Sequence, residues 1–221
     1  RPAMAVKITE YLRPGTLREA SDILERHGRD GLVIGGGVSV VLSGSPRPMR
    51  AVDLSNLGLN RIERREDGLR LGAMVTLEDL IQSPVAGAVW TGLLPEACRT
   101  AATKAVRDLI TVGGNVVQCY YWSTLPPLLL AVEGRITVAG RETSREVPAA
   151  EFFRSHPRKR LSPGEIVTGV EIPVPPDPSA GSAGLRWGAA FLKFAKTHHD
   201  YGMVNACAVV GVEDGGKGDA A

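Results

Sequence analysis

Two stretches of the 221-residue sequence place glycines where neither a helix nor a strand calls for them. They are Gly35-Gly36-Gly37 within "VIGGGVSVV" and Gly113-Gly114 within "TVGGNVV". Without Cβ atoms, successive residues can aim their N–H groups into one concavity, a nest that binds an anion without a lysine. The first stretch lacks the G-x-G-x-x-G of a dinucleotide fold and the Gly-Lys-Ser/Thr of a P-loop. Alone it reads either as a structural turn or as an anion nest. The second adds side chains, since Thr111 offers a hydroxyl and Asn115 an amide that both donates and accepts. Thr124 and Pro126-Pro127 then head an apolar helix, "LPPLLLAV". Two glycine-rich turns, each after a helix-and-strand unit, are the parts needed to grip a long bis-phosphate from two sides.

Other reactive side chains narrow the field. Cys98, Cys119 and Cys207 lie far apart, with no C-x-x-C and no histidine at ligand spacing. That argues against a self-contained zinc or iron–sulfur site and against a disulfide framework, and it suits a reducing compartment. The net charge is +2 with both signs mixed along the chain. No nucleic-acid or membrane field is implied, and Arg158-Lys159-Arg160 reads as a solvated loop. Hydrophobic content of 43% fits a soluble globular protein. No stretch approaches the ~18 apolar residues of a spanning helix. The expected location is the cytoplasm, with no membrane insertion, and Met4 is the expected native start.

The elements that position these residues follow from periodicity. "GTLREASDILERHG" is a helix opened by a Thr16/Glu19 capping box and stopped by Gly28, with Leu17, Ala20, Ile23, Leu24 and His27 on one face. "LVIG" and "AVDLS" are short buried strands, so the first part of the chain is a small α/β lobe. "RIERREDGLRLGAMVT" is a hairpin in which Asp67-Gly68 supplies positive φ angles. Thr76 and Asp79 open a short helix, and "LLPEACRTAATKAVRD" forms a longer one. "RITVAGRETSREV" is a second hairpin, and "SPGEIVTGVEIPV" ends in a strand. "PVPPDPSAGSAG" is a linker, after which "LRWGAAFLKFAK" and "GMVNACAVVGV" pair as strands.

Five motifs in this order resemble the FAD-binding, medium subunit of molybdenum hydroxylases. That family includes the medium subunit of carbon monoxide dehydrogenase and the FAD-binding domain of xanthine dehydrogenase. "GGGVSV" (Gly35 to Val40) aligns with its A-G-G-[TH]-[DS]-[LV], and "TVGGN" (Thr111 to Asn115) matches its [TS]-[IV]-G-G-[ND]. "TLPP" (Thr124 to Pro127) stands for its DLPP, and "LSPGEIV" (Leu161 to Val167) for its loop before a closing strand. Lys193 to Asp200 follows its K-x-x-x-x-R-x-x-D, with His198 where arginine is usual. Val38 stands in for a polar residue, Thr124 for an aspartate, and "QCYYWS" is more aromatic than the family pattern. Thr124 keeps the ability to cap its helix. Tyr120, Tyr121 and Trp122 either stack on flavin, cover a partner interface or pack in the core.

The resemblance implies an α+β, two-lobed FAD-binding fold of the PCMH (vanillyl-alcohol oxidase-like) type. Residues 1–57 form an N-terminal α/β lobe and 58–176 a second α+β lobe. Residues 177–221 are a linker and the beginning of a truncated C-terminal domain. It implies FAD contacts by Ile34, Gly35, Gly36, Gly37, Val38, Ser39, Val40, Thr111, Gly113, Gly114, Asn115, Thr124, Leu161, Val167 and Lys193. No catalytic residue and no metal ligand is expected in this chain. A large molybdopterin-binding subunit and a small [2Fe–2S] subunit are the implied partners, in a dimer of heterotrimers. The implied role is to pass electrons from the partner's clusters to NAD, a quinone or oxygen. Two alternatives stand beside it: a flavin-poor assembly subunit of the same complex, favoured by Val38 and Thr124, and a stand-alone flavin oxidase.

Overall fold

Short β-branched runs separated by one amphipathic helix build the first layer of the computed structural model, which describes residues 6–42, 48–175 and 185–213. In chain order these are Ile8–Leu12 (β1), Leu17–His27 (α1), Gly31–Ile34 (β2), Val38–Leu42 (α2) and Met49–Asp53 (β3). The three strands pair in parallel with β3 in the middle. Parallel neighbours require a crossover, and α2 lies within the crossover from β2 to β3. The Thr16 hydroxyl caps α1 by accepting from the Glu19 N–H at 3.1 Å. The Glu19 carboxylate reaches back past Thr16 to the N–H of Gly15, at 2.8 Å. Gly28 ends the helix at φ +50°. Ala20 and Leu24 of α1 pack with Val52, Leu54 and Ile166 in a small core. Strand β1 escapes the periodicity reading because its residues are mostly exposed and show no apolar run.

The second layer follows as Ile62–Arg64 (β4), Gly68–Gly72 (β5), Leu77–Gln82 (α3), Pro84–Gly87 (α4), Leu93–Arg99 (α5) and Lys104–Arg107 (α6). Then come Val112–Gln118 (α7), Leu125–Ala131 (α8), Arg135–Ala139 (β6), Ser144–Pro148 (β7), Ala149–Phe152 (α9) and Ile166–Pro173 (β8). These strands form an antiparallel sheet of order β4-β5-β8-β6-β7. Its inner face meets α3, α5, α7 and α8 in the main core, where Leu69, Leu80, Leu93, Leu128, Ile136 and Phe152 are at most 2% exposed. Leu185–Phe194 (β9) and Val204–Glu213 (β10) pair antiparallel as a separate ribbon. One face of it lays Phe191, Trp187 and Val209 against that core, and Leu192, Phe194, Val204 and Val210 stay exposed.

Two local expectations change. The β4–β5 hairpin forms, but neither Asp67 nor Gly68 takes a positive φ. Gly68 is instead the first residue of β5, where a Cβ would strike the Ile172 carbonyl on β8. The long helix over 93–108 is broken into α5 and α6 by residues 100–103, with Ala102 left-handed at φ +41°. Thr76 and Asp79 do form a full capping box on α3. Most of the expected linker lies outside the described residues.

Candidate functional site

The two glycine stretches meet each other. A Cβ on Gly36 would overlap the carbonyl oxygen of Leu109, and one on Gly35 would sit 2.6 Å from the Thr111 hydroxyl. Only Gly37 is bare for conformation, at φ +78° with open space around it. So Gly36 is glycine because another backbone crosses it, not because a ligand does. The second stretch is also not a free turn. Thr111 caps α7, and the glycines occupy its first turn. There the Val112 N–H donates to Val75 O (2.8 Å) and the Gly113 N–H to Ala73 O (2.8 Å). The Gly114 N–H donates to the Thr111 hydroxyl (3.1 Å). A Cβ on Gly113 would come within 2.9 Å of the Ala73 Cβ. These amides are spent on the fold, whereas those of Gly36, Gly37 and Val38 have no partner among the described residues. The second stretch is a buttress that packs under the first, whose free amides have the geometry an anion nest requires.

Beside this junction opens a cleft of about 400 Å³, a volume within the usual ligand-site range. Fourteen of the fifteen expected site residues line it, and Ile34 alone lies behind the wall, 7% exposed. Tyr120 and Trp122 line it too, as flavin stacking would require, and so do His199 and Asp200 of the Lys193–Asp200 motif with the two residues that follow. Segment 100–103 also lines it and carries no motif, because helical propensity masks the break there. The residues fit FAD. Phosphate oxygens suit unpaired amides at the start of α2, and Leu161, Ile166 and Val167 give an apolar wall for flat rings.

Lys193 and Glu165 of the wall are already engaged. The Lys193 ammonium donates to the carbonyls of Thr100, His198 (2.7 Å) and Asp200 (3.0 Å), which uses all three of its protons. Burial lowers its pKa, with Asp200 acting in the opposite sense. Thr124, expected to cap α8, makes no such bond. The Asn115 side-chain oxygen does so instead, accepting from the Leu125 N–H at 2.9 Å. Trp122 stacks on Tyr120 at 4.5 Å and meets Tyr201 at 4.6 Å, while Tyr121 is 73% exposed. That cluster belongs to the cleft rim and surface, not to the core.

Glu165 pins the loop that carries Leu161. Its carboxylate accepts two bonds from Arg145, at 2.9 and 3.0 Å, and the Ser162 N–H at 2.8 Å. The Arg145 bond, working against burial, holds its carboxyl below the usual range. A carboxyl depressed in the folded state contributes stability above its unfolded pKa and loses it as pH falls through the folded value. Glu165→Gln is therefore expected to cost about 1–2 kcal/mol at neutral pH, discounted for the half-exposed arginine. The gap in melting temperature from wild type should close below pH about 4. A gap unchanged from pH 7 to pH 3 contradicts this.

Residues 6–175 match the family described as the FAD binding domain in molybdopterin dehydrogenase. The nicotine 6-hydroxylase medium subunit of Paenarthrobacter nicotinovorans is 30% identical over 215 residues, covering 96% of this chain and 72% of that protein. The carbon monoxide dehydrogenase medium chain of Afipia carboxidovorans is 29% identical over 213 residues, covering 94% and 70%. Among solved structures, the Cu,Mo-CO dehydrogenase in its cyanide-inactivated form superposes with a TM-score of 0.85 at 26% identity, covering 96% of this chain and 72% of that one.

Proposed function

The chain belongs to the family of FAD-binding domains in molybdopterin dehydrogenases, and from that premise we propose that it is the electron-transferring flavin chain of a molybdenum hydroxylase. Its fold is the PCMH-type FAD-binding fold, and its relatives are oxidoreductase subunits. The observation that carries the reading is the junction of Gly35–Gly37 with Thr111–Asn115, which leaves the Gly36, Gly37 and Val38 amides without a partner among the described residues, at a cleft.

FAD, when bound, supplies the redox chemistry of its isoalloxazine ring. The residues of this chain bind and orient. The amides of Gly36 to Val38, with the Ser39 hydroxyl at the start of α2, take the diphosphate oxygens, where the helix end favours negative charge. Val38 removes one side-chain partner but leaves its amide. Leu161 and Val167 exclude water from the rings, and Asn115 fixes the start of α8 that backs them. Val40, Thr111, Gly113, Gly114 and Thr124 shape the wall, and Lys193 holds the loop 196–200 against it.

The name "medium" on these relatives supports a complex in which a large chain carries the molybdenum cofactor and a small one the [2Fe–2S] clusters. Electrons then leave through NAD, a quinone or oxygen, in a cytoplasmic dimer of heterotrimers. Among the described residues no helix is long and apolar enough to cross a membrane. The parallel and antiparallel sheets fall on either side of residue 57, which supports lobes at 1–57 and 58–176, followed by a linker and the β9–β10 ribbon in 177–221. Purification of the native protein by a tag on this chain should bring down two further chains with molybdenum and iron. Recovery as a monomer that turns over substrate with neither metal would refute the reading.

A further inference from the structure

The wall segment 100–103 has its carbonyls claimed from three directions. The Arg107 guanidinium donates to the carbonyls of Ala101 (3.3 Å) and Ala102 (3.0 Å), Lys193 donates to that of Thr100, and His199 Nδ1 lies 3.3 Å from Ala102 O. In a planar trans peptide the N–H points opposite the preceding carbonyl. The amides of Ala102 and Thr103 must therefore point away from Arg107. Neither has a partner among the described residues, and Ala101, Ala102 and Thr103 all line the cleft. Arg107 is itself fixed: its Nε donates to Glu78 at 2.9 Å, Glu78 is buried (8% exposed) and Arg107 mostly so (13% exposed), and Gln82 donates to the other carboxylate oxygen at 2.9 Å.

A non-glycine residue at φ +41° costs energy, and the guanidinium fork compensates by holding Ala102 there. Arg107 reaches both carbonyls from Nη1 and the carboxylate from Nε, two nitrogens held apart in one rigid plane, a spread that the single nitrogen of a lysine lacks. We propose that Arg107 is a positioning residue that turns the Ala102 and Thr103 amides into the cleft as a second pair of donors. Their ligand is an acceptor oxygen of the bound flavin nucleotide, from either the ring carbonyls or the diphosphate. This rests on the FAD reading above.

The test uses the full chain with FAD and, separately, riboflavin, which has the ring but no phosphate. In the wild type, the Ala102 and Thr103 amide proton resonances should move downfield on saturation with FAD. Arg107→Lys keeps the charge beside Glu78 but loses the fork, so it should abolish those shifts and weaken FAD binding about tenfold. The double variant Glu78→Gln with Arg107→Met leaves no buried charge and should show the same loss if the lysine variant folds poorly. Weakened riboflavin binding would assign the oxygen to the ring, and loss confined to FAD would assign it to the diphosphate. Wild-type affinity with wild-type shifts in Arg107→Lys overturns the proposal. So do unshifted Ala102 and Thr103 resonances in FAD-saturated wild type, an outcome distinct from failure of the wild type to bind FAD at all.

Discussion

Gly36→Ala is expected to destabilise the chain by about 3 kcal/mol or more, since forced overpacking against backbone cannot relax by a rotamer change. The residue has an ordinary negative φ, so alanine meets no conformational barrier there. What it meets is the Leu109 carbonyl, already where its Cβ must go. Accommodation requires the segment before Thr111 to separate from the β2–α2 loop, which opens the wall of the cleft. Gly37→Ala is the control. It has open space but φ +78°, so its cost is left-handed strain of roughly 1–2 kcal/mol. Chemical denaturation of both variants reads the difference. Equal and small losses would mean that the two loops do not touch as described.

Arg107→Met should cost about 3–5 kcal/mol, because it leaves the Glu78 carboxylate buried without its cation. Gln82 still donates to that carboxylate, but a neutral amide does not replace the charge. The Glu78 carboxyl is now held below its usual value by the Gln82 bond, against burial, and by Arg107. In the variant it should titrate higher, so the deficit should shrink as pH falls and Glu78 takes up a proton. Thermal melts from pH 7 to pH 4 test this, and a deficit that grows on acidification contradicts it. Glu78→Gln combined with Arg107→Met should recover much of the loss, since the buried charge goes with its partner.

Much of this could be read from the residues. Short β-branched runs around α1, the Thr76/Asp79 box and the turn-bounded strands fix their elements by local physics, and their order along the chain points to the fold. The glycine motifs located the cleft, but the reason for each glycine was hidden. Gly36 accommodates Leu109 and Gly68 accommodates Ile172, contacts set by tertiary approach that no local pattern records. The same holds for roles that moved between side chains: Asn115 caps α8 in place of Thr124. The Glu78–Arg107 pair spans 29 positions with no motif joining them. Helical propensity carried α5 straight through residues 100–103, and the carbonyl clamps overrule it.

Titration of the purified full-length chain with FAD tests the central claim most directly. One equivalent of FAD should bind. At a hundredfold excess over its dissociation constant it should add about 2.7 kcal/mol of stability, a rise in melting temperature of about 5–10 °C for a chain of this size. A chain that retains no flavin and melts at the same temperature with and without saturating FAD would contradict the account.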